Sequence, residues 1–321
     1  VLNKSNIVDI NHIYNLAMSV FDNEFEEINN SISILKDIEK KTDIIIGYLP
    51  ILFKSKFLFK VIHNKSIVKN VKKIKPDIIY LRQSIFVPFY FVLFRKYKVV
   101  LEINSLDKNE LKYYGVLRKF WYLLWRDWLI NKSAGLVCVS NEIAENFKPF
   151  NKPIHISSNG LESDKKKVKS TFQFNRRPRV LFTGSLGQEW QGVEKFIELA
   201  KEIKEVDFYC IGLDERLHIK SSNLKCYGRL SKYELDELIK KMDIGMGTMS
   251  LYKKNMKEAS PLKVREYVTN RMYIILPYFD TDFSEKGYDF VLDLPNSPNN
   301  IKDNKELIRK FILTNYQKRI S

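Results

Sequence analysis

The sequence predicts an α/β protein of two Rossmann-like domains, with parallel sheets facing a central cleft. Three observations carry this. Strand-like apolar runs alternate with helical segments along the chain. Its 321 residues suffice for two domains that each bury a core. A stretch of linker composition, Ser163-Asp164-Lys165-Lys166-Lys167-Val168-Lys169-Ser170, follows the Asn159-Gly160 turn. The expected division is 1–162, 163–304 and a terminal helical segment, 305–321.

In the first half a helix is expected at His12 to Phe21, and strands near Asp43 to Ile46, Asp77 to Leu81, Val99 to Ile103 and Gly135 to Val139. Tyr113 to Lys132 reads as the long helix before the last of these. In the second half strands fall near Arg179 to Thr183, Val206 to Ile211, Leu224 to Tyr227, Ile244 to Gly247 and Tyr273 to Leu276. Gly192 to Lys204, Lys232 to Met242 and Lys305 to Gln317 read as helices.

Hydrophobic content of 45%, with 13% aromatics, excludes a mostly disordered chain. The longest apolar run, Ile85 to Phe94, has about ten residues and contains Pro88, against the ~20 of a membrane span. No signal peptide is legible. Cys138, Cys210 and Cys226 lack metal-like spacing, and reduced, buried thiols in a cytoplasmic setting are expected. The net charge of +16 calls for an anionic partner: nucleic acid, anionic lipid or a phosphorylated substrate. No nucleic-acid-binding module is legible, so none is expected to bind. Aromatic and basic residues interleave at Phe53 to Lys60 and again at Leu117 to Trp128. That mixture suits a membrane interface, while a core-facing amphipathic helix explains the second stretch equally well. Lys69 to Lys75 reads as a solvated helix end.

The segment Lys257-Glu258-Ala259-Ser260-Pro261-Leu262-Lys263-Val264-Arg265-Glu266-Tyr267 carries the chemistry. Ser260 is a good N-cap and Pro261 suits the first helical position, so a helix is expected to about Asn270. Lys263 then stands where a capping box would place an acid, against the preference of a helix N-terminus for negative charge. A bound anion resolves this: first-turn amides and Lys263 would hold a diphosphate, and Glu266 would accept from ribose hydroxyls. An ordinary capped surface helix is the plainer alternative. Upstream, Val180 to Val193 reads as strand, glycine turn and helix start, including Gly184, Ser185, Gln191 and Gly192, and glycines there let backbone approach phosphate closely. Gly228-Arg229-Leu230 ends another strand. His12, His63, His155 and His218 form no cluster, and neither a Ser-His-Asp set nor a metal site is legible.

Taken in order, several stretches resemble family 4 glycosyltransferases, the retaining enzymes of the GT-B fold. Glu258 and Glu266, with Ser-Pro-Leu-Lys between them, resemble the family's paired-glutamate motif. Asp77-Ile78-Ile79-Tyr80, Ala134 to Glu142 and Ile154 to Glu162 resemble its other landmarks. The resemblance implies an N-terminal acceptor-side domain, a C-terminal nucleotide-sugar domain, and a last helix that crosses back to the first. It implies a retaining transferase moving a hexose from a nucleotide-diphosphate sugar to a lipid-linked or membrane-proximal glycan, in cell-surface polysaccharide or glycolipid synthesis. Such a protein would sit on the cytoplasmic face of the membrane, against an anionic surface, with no metal or other cofactor. Glu258 would contact the transferred sugar, Lys263 the diphosphate, Gly228 to Leu230 the base, and Ser260, Pro261 and Leu262 the phosphate end of the helix. Two departures stand out. Ser185 and Gln191 occupy the positions of the family's basic pair, and Asn104, in Leu101-Glu102-Ile103-Asn104, replaces a histidine and so can position a sugar without acting as a base. The early glycine-rich loop is also missing from the legible sequence. These departures motivate an alternative: a GT-B-like nucleotide binder without transferase activity, acting as a membrane or partner-binding module.

Overall fold

The computed structural model describes residues 71–88, 90–160, 177–184, 187–212 and 221–320. The helix expected at His12 to Phe21, the strand near Asp43 to Ile46, the Phe53 to Lys60 stretch, the 163–170 linker and Ser185 lie outside these residues. The described chain divides into two units. One takes in residues up to 105 with 111–138 and 146–155; the other takes in 106–110, 139–145 and everything from 156.

The first unit is built on a four-stranded sheet in the order β1-β2-β3-β4: β1 is Ile78–Arg82, β2 Lys98–Ile103, β3 Gly135–Cys138 and β4 Ile154–Ile156. The β1–β2 and β2–β3 pairs are parallel. Val99, Leu101 and Ile103 alternate inward along β2, the period-two pattern that places one set of side chains in the core. Helix α1, Tyr90–Lys96, follows β1, and the long α3, Val116–Lys132, leads into β3. The short α2, Asp107–Glu110, and most of α4, Asn141–Phe147, belong to the second unit. The apolar run from Ile85 is thus a turn and a short helix whose Phe86, Leu93 and Phe94 are buried.

The second unit centres on a six-stranded sheet, ordered β12-β10-β8-β5-β6-β7. Its strands are β5 (Arg179–Thr183), β6 (Asp207–Ile211), β7 (Leu224–Tyr227), β8 (Ile244–Met246), β10 (Tyr273–Leu276) and β12 (Val291–Asp293). Every pair is parallel. Val180, Leu181 and Phe182 are all fully buried, as expected of a central strand covered on both faces. Helix α5, Val193–Glu202, turns Phe196, Leu199 and Ala200 into this core. Helix α6, Lys232–Ile239, begins with a capping box in which Ser231 and Glu234 exchange side-chain to backbone bonds. A two-stranded parallel pair joins β9, Glu258–Ala259, to β11, Phe279–Asp280. Helix α7 is Leu262–Thr269, followed late in the chain by α8, Asn300–Asp303, and α9, Lys305–Ile320. Ile308 and Ile312 of α9 are buried in the second unit's core, and Lys305 pairs with Glu202 at 2.9 Å.

Two glycines of the Asp-Ile-Gly-Met-Gly strand are explained by close packing. A Cβ at Gly245 would stand 2.2 Å from the Tyr267 ring, and one at Gly247 would stand 2.9 Å from the Tyr278 ring.

Candidate functional site

Ligands in open α/β folds sit at the carboxyl edge of the parallel sheet, and the glycines singled out in the sequence gather at that edge of the second unit. Gly184, just after β5, donates to the Ile211 carbonyl at 2.9 Å; Gly212, just after β6, donates to the carbonyls of Tyr227 at 3.0 Å and Gly228 at 3.1 Å. Three adjacent strand ends are thereby tied together. Arg229 is exposed beside half-buried Gly228 and Leu230. Gly192 opens α5 with φ of 71°, and a Cβ there would fall 2.7 Å from Ser250 Oγ. Met249 N–H donates to Gln191 O and Ser250 N–H to Trp190 O, both at 3.1 Å. The turn after β5 therefore lies against the segment after β8.

Helix α7 delivers Lys263 to the same edge. Its ammonium donates to the Thr183 carbonyl and to Gln191 Oε1, each at 3.0 Å, and lies 4.3 Å from the centre of the Phe182 ring. No carboxylate pairs with it among the described residues. Burial pushes the ammonium down to about 7, because a charge leaving water without a counter-charge favours its neutral form. Tyr267, one turn further on, accepts from Thr183 N–H at 3.0 Å and bonds Thr183 Oγ1 at 3.2 Å. Gln191, which stands where a basic residue was expected, is thus the side chain that holds Lys263 in place.

The start of α7 differs from expectation. The N-cap is Pro261, in an extended conformation, and no side chain caps the helix. Ser260 does not, because its Oγ accepts the Asn159 N–H at 2.9 Å instead. Asn159 Nδ2 adds a bond to Ser260 O at 2.6 Å. The Asn-Gly turn is therefore a clamp on the segment before the helix, and the first-turn amides are left for solvent or a ligand. Arg265 locks the other side. Its guanidinium forms a forked pair with the buried Asp280 carboxylate at 2.6 and 2.9 Å, also reaches Asp282, and donates to Asn159 O at 3.1 Å.

Glu258 precedes the helix, as expected, within a web of hydrogen bonds. It is buried in β9, and both oxygens are engaged: Oε1 accepts from Asn141 Nδ2 at 3.1 Å, and Oε2 from the Glu142 N–H at 2.7 Å. Glu142 reciprocates, its Oε2 accepting the N–H groups of Lys257 and Glu258 at 2.8 Å each. This double clasp satisfies amides at the start of α4 and fixes the entry to β9. Glu266 is half-buried on the second turn of α7, on the Lys263 side of the helix.

Sequence reasoning missed two further lysines. Lys195 is buried on α5 and donates to Met249 O, Ser297 O and Asn300 Oδ1 at 3.0, 3.1 and 2.7 Å, with burial pushing it down to about 8. Lys254 pairs with Glu110 at 2.7 Å and stands 4.4 Å over the Trp190 ring, while Asn109 Nδ2 donates to its carbonyl at 2.8 Å. Both pin the segment after β8. Lys195 carried a signal: it lies one turn before Leu199 on the core-facing stripe of an amphipathic helix, an unusual place for a lysine. In the first unit, Asn104 follows β2, and its Oδ1 is buried without a hydrogen-bond partner. Among the described residues, no group of three or more His, Cys, Asp or Glu side chains is placed to hold a metal ion. All three cysteines are free thiols, Cys138 and Cys210 fully buried.

Against known proteins, residues 29–165 match the family model described as Glycosyltransferase Family 4. The fold matches a crystallised glycosyltransferase from Rickettsia africae ESF-5 at 14% identity and TM-score 0.54, covering 88% of this chain and 83% of that one. The chain has the GT-B fold, and its residues 29–165 are similar to family 4 glycosyltransferases. A sucrose-phosphate synthase from Thermosynechococcus elongatus matches at 11% identity and TM-score 0.59, covering 86% and 76% of the two chains. Anabaena HepE in complex with UDP and glucose matches at 10% identity and TM-score 0.57, covering 88% and 82%. No curated protein matches the chain by sequence. At these identities the solved structures show the fold alone. The family match ends before Gly184, so the roles of the donor-side residues rest on geometry.

Proposed function

We propose that this chain is a retaining hexosyltransferase that takes its sugar from a nucleotide-diphosphate donor and delivers it to a lipid-linked or membrane-proximal glycan, in cell-surface polysaccharide or glycolipid synthesis. The observation that carries the donor half of this reading is Lys263: a lysine held by neutral oxygens at the carboxyl edge of a parallel sheet, beside a glycine turn and an uncapped helix start. A diphosphate supplies the missing negative charge and accepts the first-turn amides of Leu262 and Lys263. The Gly184 backbone, at the end of β5, approaches the phosphate, Ser185 next to it in the chain is a further phosphate contact, and Gln191 aims Lys263 from behind. Glu266 accepts from ribose, and the strand end at Gly228, Arg229 and Leu230 receives the base.

Transfer with retention follows from a front-face displacement. The bond from the sugar C1 to the diphosphate oxygen breaks, the acceptor oxygen bonds C1 from the same side, and the acceptor proton passes to the departing diphosphate. Lys263 and the α7 amides stabilise the charge that develops on the leaving group. Asn104, with an unsatisfied buried oxygen, orients a sugar hydroxyl. Glu258 acts as a positioning residue through its clasp with Glu142. Ser260 and Pro261 shape the turn that presents the amides.

The test is mass spectrometry of purified protein incubated with a panel of nucleotide sugars, following bound nucleotide and donor turnover together. Consumption of one donor, lost in Lys263→Met and Glu266→Ala, is the expected result. Bound nucleoside diphosphate with no donor consumed across the panel would instead favour the non-transferring nucleotide binder that the missing basic pair suggests.

A further inference from the structure

The strand ends at the carboxyl edge of the six-stranded sheet are tied in two sets. Gly184 and Gly212 join the ends of β5, β6 and β7. One lysine and one asparagine join the segments that follow β8, β10 and β12. Lys195, in the first turn of α5, donates to Met249 O, past β8, at 3.0 Å, to Ser297 O, past β12, at 3.1 Å, and to Asn300 Oδ1 at 2.7 Å. Asn300 Nδ2 donates to the same Met249 carbonyl at 3.1 Å and to Pro277 O, directly past β10, at 3.4 Å. An ammonium carries three N–H donors, and here each has an acceptor.

Desolvation opposes this placement. Lys195 is buried on the stripe of α5 that also turns Phe196, Leu199 and Ala200 into the core, and its three acceptors are neutral, so no contacting counter-charge offsets the loss of water. Glu194 and Glu198 of its own helix and Lys253 of the facing segment act on it through space, and the Tyr252 ring centre lies 4.9 Å from Nζ. An apolar side chain would fill the stripe without that penalty; what the lysine adds is a grip on the backbone at Met249. From there a path of bonds leads to Lys263. The Met249–Ser250 peptide, held at its carbonyl by Lys195 and Asn300, donates its N–H to Trp190 O at 3.1 Å, and the Met249 N–H donates to Gln191 O at 3.1 Å. The Gln191 side chain, braced by Gln188 at 2.8 Å, accepts from Lys263 at 3.0 Å.

We propose that Lys195 is a positioning residue for Lys263: by fixing the backbone at Met249 and Ser250 it fixes the Trp190–Gln191 turn, and so the side chain that aims Lys263 at the donor diphosphate. This rests on the reading of Lys263 as the diphosphate lysine, and it adds a residue that acts on the donor without touching it.

The experiment is calorimetric titration of the full chain with uridine, guanosine, adenosine and thymidine diphosphates, the tightest binder being used throughout. Lys195→Met should weaken binding about threefold to thirtyfold, the range for a residue that acts through a packed network. It should also lower the proton uptake on binding at pH 8, because water reaching a loosened Lys263 lets that lysine charge before the ligand arrives. Asn300→Ala, which removes one bond from Lys195 and one from Met249, should lower both in the same way. Since it keeps the Lys195 ammonium, it excludes Lys195 itself as the group that takes up the proton, and it carries the test if Lys195→Met fails to fold by circular dichroism. In a Gln191→Ala background, where the path is already cut, Lys195→Met should add little. A lower melting temperature with wild-type affinity and uptake in Lys195→Met and Asn300→Ala, or a full additive effect on top of Gln191→Ala, would overturn the inference while Lys263→Met still weakened binding. Wild-type binding by Lys263→Met, or no binding of any of the four nucleotides, would instead remove the donor reading and this inference with it.

Discussion

At the scale of single residues, Lys263 concentrates the electrostatic argument. Its ammonium is held near 7 because burial removes water and only neutral oxygens and a ring replace it. A bound diphosphate reverses that shift, so the bound lysine titrates higher than the free one. The sign follows directly. Below about pH 7 the lysine is charged in both states and contributes no pH dependence; above it, binding takes up a proton and affinity falls, by up to about tenfold per pH unit. Calorimetry of nucleoside-diphosphate binding at pH 8 in buffers of different ionisation enthalpy should report uptake approaching one proton. Absence of uptake would remove Lys263 from the phosphate site. Lys263→Met should weaken binding roughly tenfold to a hundredfold, the range for losing a hydrogen bond to a charged group, and should abolish the uptake.

The element that positions this lysine is α7, whose placement is decided by packing. The Tyr267 ring packs closely on Gly245 with its hydroxyl bonded to Thr183, and Arg265 fixes the helix to Asp280 and to the Asn159 turn. Gly245→Ala should destabilise the protein by about 1–3 kcal/mol, the usual range for overpacking a well-filled core, visible as a lower denaturant midpoint. Arg265→Met should cost more, about 3–5 kcal/mol, because it strands a fully buried carboxylate. The clasp between Glu142 and Glu258 makes a separate claim. Each single alanine variant should destabilise the protein, and the double variant should lose measurably less than the sum, as mutually dependent groups do. Full additivity would mean that the two carboxylates act independently, and Glu258 would return as a candidate for direct sugar contact.

For the molecule as a whole, nucleotide binding should be felt in one unit. Saturation at about a hundred times Kd adds about 2.7 kcal/mol to whatever unfolds with the site. Hydrogen exchange should then slow at Thr183, Gly184, Leu262 and Lys263, and leave β1 and β2 of the first unit unchanged. Much of this architecture was legible beforehand. The expected strands of the second unit, and the long helix ending at Lys132, match the structure closely, because a buried parallel strand must be a short continuous apolar run and a surface helix must show an apolar stripe. The paired elements β9 and β11 were not legible: two-residue strands carry no periodicity. Nor was the work of Glu258, Ser260, Gln191 and Lys195, since each acts on groups tens of residues away in the chain. The sequence alone determined the α/β class, the order of the elements, the excess of positive charge and the glycines at the strand ends, because these follow from local propensity and composition. Only the tertiary structure decided that the Asn159 amide claims the Ser260 hydroxyl, that Glu258 is clasped by Glu142, and that no carboxylate among the described residues pairs with Lys263. Those outcomes depend on which distant groups meet and which are shut away from solvent, and nothing short of the packed chain sets that.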